Sequence, residues 1–552
     1  MTDLDPASTE SLRRGSLLMA TGTFASRGTG LVRTMLLVAA VGTVGGIADA
    51  FDIANTLPNM LFALLSAGAI QAVLMPQIMA AIASHDAQER LDKLLTLATV
   101  FLAVLTAVLV AAVPVLIHLF TLVGDWPAGQ IALAVAFGYW CVPQVFFYGL
   151  FAVVGDALTA RGQFAAFGWA PAANNIVSIL GFGAFVAIWG TTQTGLTDIG
   201  AWSTAQTALL AGTATLGIIV QALLLVVALR RGGFHWHLRL GLRGLGLRNA
   251  STVVGWTLGA VALEQVGVVY LKNVTSAAGS TVTASGAIAA GNATFTNALM
   301  IYLLPHSLLI VSIVTALFPR MTAAATAGDV DRVRADMSTG LRLIGVFSVF
   351  SAAVLVVLAT PLMKALLPSI SASMVEVGAP VLRALAPGLI ALGATVLVKR
   401  MYYAFGDGRS IFVIQILATL TIAAGIWVAT LVLRPSQWTV AAAAVTAVAT
   451  WVSVLARVSG MRRKLGGIDG HRVLQTYVKA GVAALIAAGI GWALLVALDA
   501  ALGTVGWWQA VLVCTVVGLA MSVVYGTMLR VMHVQELDAG LGMLRRLRRR
   551  GR

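Results

Sequence analysis

Charge is scarce in this chain. Lysine, arginine, aspartate and glutamate make up 10% of its 552 residues, against roughly 25% in an ordinary soluble domain, and the shortfall excludes a soluble globular protein. Cysteine is scarcer: Cys141 and Cys514 are the only two and both lie in apolar runs, which excludes a disulfide framework, a CxxC metal site and thiol redox chemistry. His85, His118, His235, His237, His306, His471 and His533 show no HExxH or other ligand spacing, so no metal site is expected; His235 with His237 reads as a loop pair. No Walker loop occurs, and Gly406 with Gly408 lies in a helix-to-helix turn without a supporting strand. Asp125 and Asp198 are the few acids expected in outward loops, too few for the acid–base pair of a membrane glycosyltransferase. The sequons at Asn273 and Asn292 are short chance patterns. Ten-residue strand alternation, the mark of a membrane barrel, is missing as well.

What is present is apolar length. Hydrophobic residues make up 59% of the chain, and they fall in runs of a length that in hydrocarbon only a helix can use, because every backbone polar group must be satisfied internally. Fourteen such segments follow one another between about residues 16 and 532. They predict an all-α polytopic protein of fourteen transmembrane helices. The second is expected over 50–82, the seventh over 250–271, the eighth over 291–318 and the tenth over 377–405. The first segment is too long for a cleaved signal and carries Arg27 and Arg33.

The formal net charge of +15 suggests nucleic acid only until the basic residues are placed. With the N-terminus inside, the outward loops hold only Lys272, Lys364 and Arg434, Arg27, Arg33 and Arg383 fall within spans, and every other basic residue lies inside. This is the positive-inside pattern, and it predicts both termini in the cytoplasm with no nucleic-acid partner. The tail arginines 545, 546, 548, 549, 550 and 552 read as a solvated basic end held at an anionic leaflet.

A weak repeat runs through the chain. Leu-Met-Pro-Gln-Ile-Met-Ala-Ala at 74–81 recurs as Leu-Phe-Pro-Arg-Met-Thr-Ala-Ala at 317–324, Leu57-Pro58 pairs with Leu304-Pro305, and the turn at 160–163 pairs with that at 406–409. An even number of spans per repeat makes the two halves parallel in topology. The expected plan is a tail over 1–15, an N-lobe over 16–231, an amphipathic linker over 232–249, a C-lobe over 250–460, a loop with two added helices over 461–532, and a basic tail over 533–552. In the linker, Leu238, Leu242 and Leu245 beside Arg239 and Arg243 suggest a helix lying in the interface. Two repeated lobes in a membrane suggest a transporter.

The charges inside the spans carry the chemistry. An arginine at mid-span costs about 2.5–3.5 kcal/mol on insertion scales, so it faces a cavity, a partner or a ligand. Arg27 and Arg33 in the first span are the leading candidates, with Gly28 and Gly30 thinning the helix beside them. They either pair with Asp49, Asp52 or Glu264, or receive an anionic head group, since guanidinium matches phosphate oxygens bidentately. Glu264 is expected to be the most buried carboxylate of the second lobe, as an ion or proton site or as a counter-ion. Asp49 and Asp52 open the second span, where a helix N-terminus also favours carboxylates. Asp156 reads as paired or solvated, and the depth of Arg383 leaves it open. No catalytic residue is expected.

Three stretches resemble a known family. Ser-Arg-Gly-Thr-Gly-Leu-Val-Arg at 26–33, followed by Ala48-Asp49-Ala50-Phe51 and Leu57-Pro58-Asn59, is similar to the opening of the MurJ/MviN family, the lipid II flippases of the MOP superfamily. The stretch 157–175, Ala-Leu-Thr-Ala-Arg-Gly-Gln-Phe-Ala-Ala-Phe-Gly-Trp-Ala-Pro-Ala-Ala-Asn-Asn, resembles the family pattern after the fourth span, and Tyr402-Tyr403-Ala404-Phe405-Gly406-Asp407 its counterpart after the tenth. The resemblance implies an alternating-access flippase of the bacterial cytoplasmic membrane. It would carry the undecaprenyl-pyrophosphate-linked peptidoglycan precursor outward, with no cofactor and with coupling to Na+, H+ or membrane potential. Arg27 and Arg33 match the family's two essential first-span arginines and Asp49 its acid at the start of the second span; Pro58 and Asn59, with Gly28 and Gly30, would be gating or structural positions. Membrane lipids and cell-wall synthesis or division proteins are the implied partners.

The chain departs from the family in its cavity charge. Thr34 stands where members commonly have an acid, Thr56 and the region of Phe62 where they have basic residues, and Leu299 or Met300 where many have an arginine in span eight. Lys272, Arg383 or another cation would have to substitute, or the substrate differs. The richness in Ala, Gly, Val and Arg suggests a high-GC, actinobacterial genome. Other readings that stay open are a different MOP exporter for another polyprenyl-linked saccharide or a drug, a polytopic enzyme, and a non-transporting cell-wall scaffold.

Overall fold

The computed structural model describes residues 6–66, 77, 78, 81, 86–124, 126–161, 163–192, 198–239, 241, 252–283, 288–503, 506–534 and 536. Among these, all regular structure is helical. The chain divides into two compact units, residues 1–265 and 266–552. The boundary falls inside a single long helix, whereas the sequence suggested a break in the preceding linker.

The first unit contains α1 (Pro6–Val41), α2 (Gly46–Leu65), α3 (Ala87–Ala111), α4 (Val113–Leu119), α5 (Ala128–Cys141), α6 (Gln144–Ala160), α7 (Phe164–Trp189), α8 (Thr204–Arg231) and the first part of α9 (Thr252–Thr283). α1 packs along α7 and α7 along α8, while α2 lies on α5 and α3 on α6. Buried Leu91, Leu94 and Leu95 of α3 meet Val153, Val154 and Leu158 of α6 and Leu225 and Leu229 of α8 in one cluster. Proline sets the breaks: α3 gives way to α4 just before Pro114, and α5 to α6 at Pro143, where a missing N–H cannot continue the ladder.

The second unit holds the rest of α9, then α10 (Asn292–Pro305), α11 (Val311–Thr326), α12 (Val330–Val357), α13 (Ala359–Leu366), α14 (Ala372–Leu385), α15 (Gly388–Ala404), α16 (Gly408–Val432), α17 (Trp438–Lys464), α18 (Gly470–Leu502) and α19 (Trp507–Val531). A single π turn, His306–Ile310, joins α10 to α11 directly after Pro305. α14 and α15 meet at a 47° bend around Pro387, the geometry of a broken span or a re-entrant loop. The two added helices pack on this unit: Ala480, Ala483, Ala484 and Ala487 of α18 interlock with Val513, Val517 and Met521 of α19 and with Val346 of α12. The Tyr525 hydroxyl donates to the Val346 carbonyl at 2.7 Å.

Twelve helices, or thirteen with the bent α14–α15 pair as one, are long and apolar enough to cross a membrane among the described residues. The predicted second segment, 50–82, is described as a helix to Leu65, and most of its remainder lies outside the described residues. Leu180, Leu223, Leu420, Trp427, Leu485, Trp492, Trp508 and Leu519 are each more than 40% exposed, an arrangement that hydrocarbon accommodates and water does not.

Two sequence expectations change. α9 runs to Thr283 and not to residue 271, because its Ser and Thr side chains satisfy themselves on the helix: Thr275 Oγ1 donates to the Leu271 carbonyl at 3.2 Å and Ser280 Oγ to that of Ala277 at 3.2 Å. Lys272 is therefore a buried helix residue and not a loop residue. The linker is also different where it is described. After α8 the chain turns at Gly232–Gly233 and residues 234–239 are irregular rather than helical. Gln88, Asp92 and Thr96, one face of α3 at four-residue spacing, hold this strap: Gln88 Nε2 donates to the His235 carbonyl at 2.7 Å, the His237 N–H to Asp92 Oδ1 at 3.0 Å, and Trp236 Nε1 and the Arg239 N–H to Thr96 Oγ1 at 3.2 Å each. Residues 242–249, with Leu242, Arg243 and Leu245, lie outside the described residues.

Candidate functional site

In the first unit the site is built on α1. Glycine lets α1 and α7 touch: a Cβ on Gly22 would stand 2.6 Å from the Gly168 backbone, and one on Gly168 2.7 Å from Met19 Cα. About two turns further along α7, Asn175 reaches across. Its Nδ2 donates to the Ser26 carbonyl at 2.8 Å and to Thr29 Oγ1 at 3.2 Å, and lies 3.4 Å from where a Cβ of Gly30 would be. A Cβ on Gly30 would thus only touch this amide, and a Cβ on Gly28, which is exposed, would meet no atom within 4 Å.

This clamp sets the two arginines. Ser26 and Arg33 are seven residues apart, about two turns, and share a face of α1, while Arg27 lies round the helix from it. Both guanidinium-bearing residues are half-buried, and among the described residues neither makes an ion pair. The ionisable groups nearest Arg33 are the phenol of Tyr148 on α6 and the thiol of Cys141 at the end of α5. Phe62 of α2 lies against Tyr148, ring centres 5.5 Å apart. This aromatic pair stands in the region where the family resemblance implies a basic residue.

The carboxylates that are one of the two alternatives for these arginines form no ion pair with them among the described residues. Asp49 is 2% exposed in the first turn of α2, where the helix N-terminus favours a negative charge; Asp52, one turn on, is half-buried. Glu264 corrects the expectation most clearly. It is exposed on α9 and forms no ion pair among the described residues, because little packs on this stretch of α9: residues 262, 264 and 266, on different faces of the helix, are all exposed. The one buried carboxylate among the described residues of the second unit is Glu536. Pro58 is buried within α2, and the exposed Asn59 side chain donates to the Asn55 carbonyl at 3.1 Å.

In the second unit the notable cation is Lys272, only 7% exposed. Its Nζ donates to Asn292 Oδ1 at 3.2 Å and Thr296 Oγ1 at 3.3 Å, and Thr275 Oγ1 also donates to Asn292 Oδ1 at 3.3 Å. Thr296 precedes Leu299 and Met300 by about one turn of α10, so the ammonium lies near the positions where an arginine is missing. Arg383 is exposed and tied to α13 by an Nη2 bond to Thr360 Oγ1 at 2.9 Å.

The sequence reading passed over Asn175 as a functional position, although it closes the quoted 157–175 motif; an amide in the middle of an apolar helix was the available signal. Lys272 was misplaced because hydropathy alone ended the seventh span before it. No group of three or more metal-binding side chains occurs among the described residues.

Comparison with known proteins agrees with this architecture. A solved structure of the lipid II flippase MurJ in an inward closed conformation superposes with a TM-score of 0.70 at 17% identity, covering 94% of this chain and 99% of that one. An inward-facing multidrug resistance MATE transporter of the MOP superfamily follows at 0.58 and 14% identity, covering 79% and 94%; these two show the fold. The probable lipid II flippase MurJ of Synechocystis is 27% identical over 418 residues, 74% of each chain. The family model for the lipid II flippase MurJ matches residues 38–512, most of the chain, and the protein belongs to that family.

Proposed function

We propose that this protein moves lipid II from the cytoplasmic to the outer leaflet of a bacterial cytoplasmic membrane by alternating access, with Arg27 and Arg33 receiving the pyrophosphate. The observation that carries the reading is the pair of half-buried arginines in an apolar helix with no ion-pair partner among the described residues. Two guanidinium groups held so are costly unless an anion completes them, and pyrophosphate oxygens match their donor geometry. In the second unit, buried Lys272 takes the place of the arginine absent at Leu299 or Met300. The substrate class therefore stays that of the family despite the sequence departures.

The reading includes fourteen spans, the second formed by the segment that begins with α2, and both termini in the cytoplasm, as the distribution of basic residues supports. Coupling falls to an ion, Na+ or H+, or to the membrane potential, which is worth ~2.3 kcal/mol per charge per 100 mV. Cell-wall synthesis and division proteins are the natural partners of such a step.

The test is depletion of the protein in its host, with external lipid II measured by a membrane-impermeant probe. External lipid II should fall while the total rises, and neither Arg27→Ala nor Arg33→Ala should restore it. Restoration by both variants would remove the arginines from the mechanism.

A further inference from the structure

A second cationic site lies away from α1. At the shared end of α12, α18 and α19 there is a cavity of about 290 Å³. It is near the lower end of ligand clefts, which run about 300–1,000 Å³, a size suited to a head group and not to a whole saccharide.

Its lining follows from helix geometry. Arg472, Gln475, Thr476 and Lys479 stand at i, i+3, i+4 and i+7 of α18 and so share one face, which forms one wall of the cavity. The opposite wall is Arg342 of α12 with Glu536, and these two neutralise each other in a close ion pair. His533, just beyond α19, closes the rim.

The remaining charge is positive. Lys479 Nζ gives one hydrogen bond, 2.8 Å, to the Met532 carbonyl, which leaves two ammonium protons. Arg472 has only a long contact, 3.9 Å, to Asp469 Oδ2, and that same oxygen already accepts from Ser338 Oγ at 3.0 Å. Thr476 is 7% exposed, and its hydroxyl has no protein hydrogen-bond partner among the described residues. A hydroxyl donor on the cavity wall beside two underused cations, Lys479 and the largely exposed Arg472, is chemistry that suits an oxyanion.

We propose that this cavity binds a phosphate-bearing anion, with Arg472 and Lys479 supplying charge and Thr476 a hydroxyl donor. At the inward end of the added helices its occupant is either the head group of an acidic phospholipid or a soluble phosphate. The proposal rests on the inward placement of this end given above. It goes beyond transport itself, since none of these residues belongs to the arginine site on α1.

The experiment uses the full-length protein in detergent and native mass spectrometry with short-chain phosphatidylglycerol, short-chain phosphatidylcholine and inorganic phosphate. Wild type should retain phosphatidylglycerol over phosphatidylcholine; R472Q/K479Q should weaken that retention at least tenfold, and R462Q/R463Q, at the end of α17, should leave it unchanged. Thr476→Val keeps both charges and should weaken it about threefold. Displacement of the lipid by phosphate at comparable concentration assigns a soluble ligand, and failure to displace assigns the head group; either supports the site. Equal retention by wild type, R472Q/K479Q and Thr476→Val overturns it. No flipping step is read, so failure here is distinguishable from failure of the flippase reading.

Discussion

The Asn175 amide donates to the Ser26 carbonyl at 2.8 Å, one residue before Arg27, and so a side chain of α7 sets the position of the arginine-bearing turn of α1. The same nitrogen reaches Thr29 Oγ1 at 3.2 Å, fixing rotation as well as depth. Asn175→Ala removes both bonds. Since the Ser26 carbonyl keeps its place in the helix ladder, the stability cost should be about 1 kcal/mol. Lipid II exposure should fall several-fold while thermal unfolding in detergent shifts by only a few degrees. Unchanged exposure would show that α1 is positioned by packing alone.

The glycines of α1 should divide into two kinds. At Gly22 a methyl group would enter the Gly168 backbone, 2.6 Å away, and overpacking of this kind costs about 1–3 kcal/mol. Gly28 meets nothing within 4 Å, and alanine is better than glycine in a helix by up to about 1 kcal/mol. Gly22→Ala should lower the unfolding temperature and Gly28→Ala should hold or raise it; the reverse order would refute the α1–α7 contact.

Asp92 holds the strap after α8 by accepting the His237 N–H at 3.0 Å. Asp92→Ala removes an acceptor that the buried face of α3 cannot replace. Trypsin cleavage after Arg239 should then quicken by about an order of magnitude, with the remaining helices resistant. Equal cleavage rates would mean that Gln88 and Thr96 suffice.

Asp407 caps α16 through its bond from the Ser410 N–H at 3.0 Å and pairs with Lys464. Burial pushes this carboxyl up, but the hydrogen bonds from Lys464 and Ser410 outweigh it and hold the group below the usual carboxylate range. A lowered folded-state value means that stability is present above the unfolded value of about 3.9 and is lost as pH falls through the folded one. Asp407→Asn should therefore lower thermal stability at pH 7, and its difference from wild type should shrink as pH falls below about 4. A difference independent of pH would leave capping, not charge, as its role.

Much of this was legible in the residues. Composition and run length sufficed for an all-helical membrane protein, because hydrocarbon leaves the backbone few other solutions, and the motifs around Arg27, Asp49 and Asn175 carried the family. Hydropathy failed at Lys272: a polar run ended the span on paper, while in space its hydroxyls bond back to their own helix. It failed also at Glu264, whose burial depends on what packs against α9.

The linear sequence by itself thus determined the class, the run of spans and the presence of arginine where arginine is costly, all consequences of local composition and spacing. Only the tertiary structure decided which groups accompany those charges. That Arg33 pairs with no carboxylate among the described residues, that Asn175 clamps Ser26, and that Arg472 and Lys479 border a cavity depend on how helices distant in sequence pack. Such packing follows side-chain shape and glycine contacts between helices, which no periodicity within a single helix records.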